Sequence, residues 1–435
     1  MSNPKTECKV LIISCAQGDT RRYRSVHLKE QCDLVNLPVL MVNIKDTGLH
    51  LLVKRTRFDI AIFQRVEMDG YINRMVKTLK SQGSLCLYDT DDLIFDEAMI
   101  KHIDNPDFND PFTANLNRKY MRRQRSMLEA CVGTLVSTPY LANQVGKLGK
   151  IVRVHPNAFS LQMLACANLA YESYQSHPGR VVIGYASGSR THNRDFNQCA
   201  TALRKLLEAY PHTELWLMGS LDSGEGWERF GERVRRIPAV DWRELPQYLV
   251  QFDINLAPLV LDNPFGLSKS AIKYMEAALV RRPTIASPNQ AFKTAIQDGE
   301  NGFLASNEED WLEKLSRLVE DKSMRIHMGE SAWLAVQAND HPAPRSIEFM
   351  NTLNSLSQEI RGEIFLPQVS PTLEEVMDRV VNLEKGCKDE TSNDRIPSAL
   401  KRGWTTLWRR GPFGLLGNIG VRLRRYNREN ATKKS

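Results

Sequence analysis

The chain contains no run near the ~20 consecutive apolar residues that a membrane-crossing helix needs. Its start, Met1-Ser2-Asn3-Pro4-Lys5-Thr6-Glu7, leads straight into a strand-like run, so no signal peptide is expected and the chain is assigned to the cytoplasm. The eight cysteines (Cys8, Cys15, Cys32, Cys86, Cys131, Cys166, Cys199 and Cys387) include no close pair to ligate zinc or exchange electrons. They are expected as small buried hydrophobes. The nine histidines are equally dispersed, and no metal or other cofactor is expected.

Positive charge is also missing where a nucleic-acid surface would need it. The net charge is +7, but from Arg395 onward eleven basic residues face the single acid Glu429, a local +10 that leaves −3 over the rest of the chain. A nucleic-acid footprint spread over the fold is thereby excluded.

With 435 residues, two domains are expected rather than one core. Lys9-Val10-Leu11-Ile12-Ile13-Ser14 reads as a buried parallel strand running into the turn Ala16-Gln17-Gly18-Asp19-Thr20. Strand candidates recur at Pro38 to Val42, Phe58 to Phe63, Ser84 to Tyr88, Thr134 to Ser137 and Ile151 to Val154, with helical patterns between them. That alternation predicts a parallel sheet with helices on both faces and ligands beyond the carboxyl ends of its strands. It restarts at Val181 to Ala186 and continues through Leu215 to Gly219, Val234 to Ile237, Ile254 to Ala257 and Pro283 to Ala286. The expected organisation is therefore an α/β chain with two Rossmann-like domains, 1–160 and 179–340. A linker (161–178) joins them, a helix (341–366) crosses back to the first, and a basic tail (367–435) follows.

Chemistry concentrates in Asn263-Pro264-Phe265-Gly266-Leu267-Ser268-Lys269-Ser270-Ala271-Ile272-Lys273-Tyr274-Met275-Glu276. Read as a loop opening into a helix, this stretch puts Lys269, Lys273 and Glu276 on one face. Two ammonium groups beside the free N–H groups of a helix start suit a phosphate, and the carboxylate suits sugar hydroxyls. Such a face is also common as a solvated surface. A second loop, Ala186-Ser187-Gly188-Ser189-Arg190-Thr191-His192-Asn193-Arg194, pairs small residues at Gly188 and Ser189 with Arg190 and Arg194, which suit a phosphate. His192 either donates to the phosphate or the transferred group, or is merely a polar loop residue.

These segments, with Leu256-Ala257-Pro258-Leu259, Glu276-Ala277-Ala278, Ile285-Ala286-Ser287-Pro288 and Asp298-Gly299-Glu300-Asn301-Gly302, resemble the donor domain of glycosyltransferase family 4. Tyr88-Asp89-Thr90-Asp91-Asp92-Leu93 and Pro156-Asn157-Ala158 resemble its bacterial surface-polysaccharide branch. The resemblance implies the GT-B architecture, two domains facing across a cleft, and retaining transfer of a hexose from a nucleoside-diphosphate sugar to a glycan or lipid-linked acceptor. It implies that Glu276 binds the nucleotide ribose and that Phe265, Gly266 and Leu267 offer backbone donors to the diphosphate and sugar. Arg194, with Lys269 and His192, would serve the leaving diphosphate, with Lys273 beside the donor. The family's frequent first glutamate would fall at Ser268, which is not acidic, so sugar contact must be made differently or activity is lost. A silent glycan-binding subunit and a nucleotide-sugar epimerase remain as alternatives.

Gly18, Asp89, Asp91 and Asp92 are assigned to the acceptor. The three aspartates also suit a hard cation or a simple turn cap. In the tail, Trp404, Leu407, Trp408, Phe413, Leu415 and Leu416 alternate with basic clusters, as in a peripheral anchor on anionic lipid or a disordered extension.

Overall fold

The computed structural model describes residues 9–103, 110–188, 192–362 and 371–390. The chain divides into two compact units, Met1–Val376 and Met377–Ser435. The described part of the second lies within the helix Leu373–Glu390. The basic tail from 391 onward lies outside the described residues, so the anchor expectation is untouched by the fold. Among the described residues, no helix is long and apolar enough to cross a membrane.

The first unit holds two parallel six-stranded sheets. The first runs β2 (Val39–Asn43), β1 (Val10–Ser14), β3 (Ile60–Gln64), β4 (Leu85–Thr90), β5 (Gly133–Val136), β6 (Ile151–Val154). The second runs β12 (Phe303–Leu304), β11 (Thr284–Ala286), β10 (Ile254–Ala257), β7 (Val181–Ser187), β8 (Thr213–Gly219), β9 (Val234–Ile237). Strands β1, β3, β7 and β10 are buried along their whole length apart from Ala186, which is why they read as unbroken apolar runs rather than alternating ones. In each sheet the chain leaves a first-laid strand to one side and later returns to the other. The resulting crevices lie at the carboxyl ends of β1 and β3 and of β7 and β10.

The stretch 161–178, expected only to lack strands, carries the helix Leu161–Ser173. Ser160 caps it by accepting from the Met163 N–H, and the Glu30 carboxylate accepts from the Leu161 N–H at 3.0 Å, which ties the helix to the first sheet's layer. The helix Pro342–Arg361 packs against the helix His27–Leu34 and β6, with Phe349 against the ring of His155.

Contacts between the two halves are dense. Phe265, from the second, sits in the apolar core of the first. Asn263 Nδ2 donates to the His102 carbonyl (2.8 Å), Thr138 Oγ1 to the Ser268 carbonyl (3.2 Å) and Asn157 Nδ2 to Ser270 Oγ (3.1 Å).

Candidate functional site

Both crevices open into one cavity of about 680 Å³. From the first half its wall takes Gln17, Asp19, Arg22 and Tyr23 after β1, Arg65 after β3, and Asp91 and Asp92 after β4. From the second come Ser187, Gly188 and His192 after β7, Asp241 and Trp242 after β9, Pro258 and Leu259 after β10, and Lys269, Lys273 and Glu276. Next to the wall residue Met218, Gly219 has φ +90°, and a Cβ there would stand 1.9 Å from the Ser187 carbonyl oxygen, so only glycine lets β8 end this close to the end of β7.

The stretch from Asn263 to Glu276 is not one helix. Pro264–Ser268 forms a five-residue helix, Lys269 is extended (φ −67°, ψ 138°), and a second helix spans Ile272–Leu279. Lys269 therefore shares no helical face with Lys273 and Glu276, yet the break in the chain brings all three to the same wall. The amides expected to meet a diphosphate are already engaged. The Phe265 N–H donates to Asn263 Oδ1 (3.0 Å) and the Leu267 N–H to the Asn263 carbonyl (3.0 Å). A Cβ on Gly266 would lie 2.2 Å from the Val260 carbonyl oxygen, so this glycine serves close backbone packing. Phe265, Gly266 and Leu267 are not among the residues of the cavity wall.

Ser268 is fully buried, with its hydroxyl donating to the Phe265 carbonyl at 2.8 Å. The position at which the family resemblance implies an acid is thus filled by a residue packed into the contact between the halves.

Around the cavity, Lys273 donates to the Ala186 carbonyl at 2.7 Å and lies 5.3 Å from the Tyr185 ring centroid. Burial pulls its ammonium below the ordinary lysine pKa, against the opposing fields of Glu276 and Asp195. His192 precedes the helix Asn193–Ala209, and its Nδ1 meets Asp195 Oδ2 at 2.8 Å, while Asp195 Oδ1 accepts from the Val260 N–H. Burial lowers the His192 pKa despite that bond. Gly188 lines the cavity, whereas Ser189 and Arg190 lie outside the described residues. Arg194 is exposed on the first turn of its helix and is not part of the wall.

The first-half calls divide. Asp89 is fully buried and pairs with Arg24, whose Nε donates to Oδ1 at 3.1 Å and Nη2 to Oδ2 at 2.5 Å. The pair lies behind the wall, where Arg24 holds the carboxylate in place. Gly18 (φ +58°) starts the first helical turn and is likewise outside the wall. Asp91 and Asp92 do line the cavity, each committed to a cation: Asp91 to Arg65 at 2.7 Å, Asp92 to Arg65 at 3.5 Å and to Lys269 at 3.1 Å. Burial would raise the Asp92 carboxyl, but Lys269 and Arg65 outweigh it and hold Asp92 below its usual range. Among the described residues no group of three or more His, Cys, Asp or Glu side chains is assembled to hold a metal.

Among the wall residues that the sequence does not single out are Arg22, Tyr23, Arg65 and Trp242. Glu276 Oε1 accepts from Tyr23 Oη (2.8 Å) and from Arg22 Nη2 (3.2 Å), so the first half reaches across and holds the carboxylate. Arg22 also pairs with Asp19 and lies 4.9 Å from the Trp242 ring centroid. Arg22–Val26 is a π-helical turn between the α-helical segments Gly18–Arg21 and His27–Leu34. Arg22, Tyr23, Arg24 and Ser25 are all buried in sequence, which no single helical face permits, because the turn is enclosed from several sides: Arg22 and Tyr23 reach Glu276, and Arg24 reaches Asp89 and the His155 carbonyl. The available signal was the run Arg21-Arg22-Tyr23-Arg24 directly beyond a switch-point strand. Arg65 adopts φ +48° just past β3, a rare backbone turn for a side-chain-bearing residue, beside its partners Asp91 and Asp92.

Residues 180–321 match a family model described as Glycosyl transferases group 1. The trehalose synthase of Thermococcus litoralis is 27% identical over 166 residues, and the match spans 35% of this chain and only 39% of the length of that relative. Among solved structures, the sucrose-phosphate synthase of Thermosynechococcus elongatus is 14% identical with a TM-score of 0.56, covering 81% of this chain and 100% of that one. The Anabaena protein HepE, solved in complex with UDP and glucose, is 12% identical with a TM-score of 0.51, covering 80% and 100%. At these identities the likeness is one of fold: the chain has the GT-B architecture, with its glycosyltransferase-like segment in the second half.

Proposed function

We propose that this protein transfers a hexose, with retention, from a nucleoside-diphosphate sugar to a glycan or lipid-linked glycan acceptor. The observation that carries the reading is the shared cavity at the two crevices, where Lys273 and Lys269 stand beside His192 and Glu276. The match of residues 180–321 supports it, as does the fold shared with a protein solved with UDP and glucose.

In this reading the diphosphate lies toward Lys273 and Lys269, and Glu276 receives the ribose hydroxyls. The bond between the anomeric carbon and the diphosphate oxygen breaks, a bond to the acceptor oxygen forms on the same face, and the acceptor proton passes to the departing phosphate oxygen. Lys273, already partly desolvated, faces the developing negative charge without rearranging. Closure of the two halves excludes water that would hydrolyse the donor. Tyr23 and Arg22 both hold Oε1, so ribose hydroxyls that take that oxygen displace them and couple donor entry to a change at the cleft. The basic tail is assigned to an anionic lipid surface carrying the acceptor. Liposome flotation of the full chain against a chain stopped before Arg395 tests that, and equal binding removes it.

A second reading, a silent glycan-binding subunit, is favoured by the packed, non-acidic Ser268 and by the engagement of Glu276 with the first half. Incubation with a panel of nucleotide sugars, with and without lipid extract, separates the two. Release of nucleoside diphosphate that depends on acceptor supports transfer; binding without release supports the silent subunit. Failure to bind any nucleotide sinks both.

A further inference from the structure

Every carboxylate described in the main cavity wall already faces a cation: Asp19 and Glu276 face Arg22, Asp91 and Asp92 face Arg65, and Asp241 faces Arg243. Position 268 adds none to the wall, because the Ser268 hydroxyl is buried against the Phe265 carbonyl. A sugar transferred in this cavity brings several hydroxyls, and each of them needs an acceptor once water is excluded. His192 is placed to supply one.

Its ring is held from behind by Asp195, a buried residue in the first turn of the helix Asn193–Ala209. Asp195 uses both carboxylate oxygens: Oδ1 accepts from the Val260 N–H at 2.9 Å, and Oδ2 meets His192 Nδ1 at 2.8 Å. An ionised carboxylate only accepts, so the ring nitrogen opposite it carries the hydrogen, and Nε2 of the neutral ring keeps a lone pair. Nε2 has no hydrogen-bond partner among the described residues, yet it is not one of the shut-in polar atoms, and the side chain is 17% exposed. It is thus the nitrogen that a guest in the cavity can reach. A second proton on the ring is opposed by burial and by the fields of Lys273 and Lys269, although Asp195 favours it. A lone pair repels phosphate oxygens and attracts an O–H.

We infer that Asp195 is a positioning residue that fixes the tautomer of His192, and that His192 Nε2 accepts a hydrogen bond from a hydroxyl of the transferred sugar. The sugar contact rests on the nucleotide-sugar reading above, and it supplies what Ser268 does not. It gives His192 to the sugar rather than to the leaving diphosphate.

Nitrogen NMR of isotope-labelled histidine side chains in the full chain reads the tautomer directly, with the His192 signals identified by their loss in His192→Phe. Wild type is expected to carry the hydrogen on Nδ1. Asp195→Asn keeps the size of the side chain and an acceptor for the Val260 N–H while turning an amide N–H toward Nδ1, so the hydrogen is expected to move to Nε2. UDP alone should leave the Nε2 signal unmoved, and one of UDP-glucose, UDP-galactose and UDP-N-acetylglucosamine should shift it. In calorimetry Asp195→Asn should bind UDP within about twofold of wild type and that nucleotide sugar about tenfold more weakly, a split that a general loosening of the loop would not produce. Hydrogen on Nε2 in wild type, a shift with UDP alone, or equal losses for UDP and the nucleotide sugar overturns the inference and leaves the nucleotide-sugar reading standing. If no nucleotide binds, that reading falls and takes the sugar contact with it, while the comparison of wild type with Asp195→Asn still decides the role of Asp195.

Discussion

The two walls of the main cavity are built on opposite electrostatic plans. In the first half each charged group is answered by another: Arg24 by Asp89, Arg65 by Asp91 and Asp92, Arg22 by Asp19. In the second half Lys273 meets a backbone carbonyl instead of a carboxylate, and Glu276 and Lys269 find their partners only across the cleft, in Tyr23, Arg22 and Asp92. A wall compensated within itself is rigid and costly to disturb. A wall whose charges lean on the opposite half is available to exchange those partners for a ligand. The difference assigns positioning to the first half and ligand exchange to the second.

Arg24→Met is the hardest blow to that contrast, because it leaves Asp89 charged and buried and also strands the His155 carbonyl and Asn157 Oδ1. A loss of about 3–5 kcal/mol is expected in denaturant unfolding. A loss below 1 kcal/mol would mean that the first wall is not held by its internal pairs. Lys273→Ala tests the other wall. It should lower turnover of the donor by about a hundredfold while leaving the unfolding midpoint close to wild type, and unchanged kinetics would take the leaving-group role away from Lys273.

Tyr23→Phe sharpens the comparison in the opposite direction. Removing one of the two donors that occupy Glu276 should tighten UDP binding about fivefold, measured by calorimetry. Weaker binding would show that Tyr23 contacts the nucleotide instead of standing in for it.

The smallest effect concerns pH at the linker. Burial raises the Glu30 carboxyl to about 7, although the Leu161 N–H opposes the shift. For an acid raised in the folded state, the unfolded chain gives up its proton first as pH rises. The stability contributed by the protonated form is therefore present below the ordinary carboxylate range and lost as pH rises through about 7. Glu30→Gln keeps an acceptor for the Leu161 N–H without the buried charge. Its Tm should match wild type near pH 5 and exceed it by a few degrees near pH 8. The neighbouring His27, lowered to about 4 by burial, has the opposite trend: stability falls as pH drops below the ordinary histidine range. A Glu30→Gln gap that did not widen with pH would leave Glu30 no part in the linker's pH response.

Both parallel sheets were legible because their strands are buried on both faces, and burial on both faces writes itself as local apolar runs such as Leu11-Ile12-Ile13 and Ile254 to Ala257. Gly188 and His192 were reachable for a related reason, since both follow closely on the end of β7, whereas Lys273 and Glu276 were reachable through their spacing on one helix, Ile272–Leu279. The helix Leu161–Ser173 was missed, since its small residues Ala165, Ala167 and Ala170 give it little amphipathic signature.

By itself the amino-acid order determined two wound sheets, their crevices and the loops that border them, because each strand is announced by a local apolar run and each loop by the residues that directly follow it. Which charges face the cavity was decided only by the tertiary structure. Asp89 belongs to β4 and Asp91 lies just past its end, and partners arriving from elsewhere decide their places: Arg24 encloses Asp89 in the interior, and Arg65 meets Asp91 at the cavity wall. The hold of Tyr23 and Arg22 on Glu276 joins positions some 250 residues apart, and no local pattern encodes such a meeting.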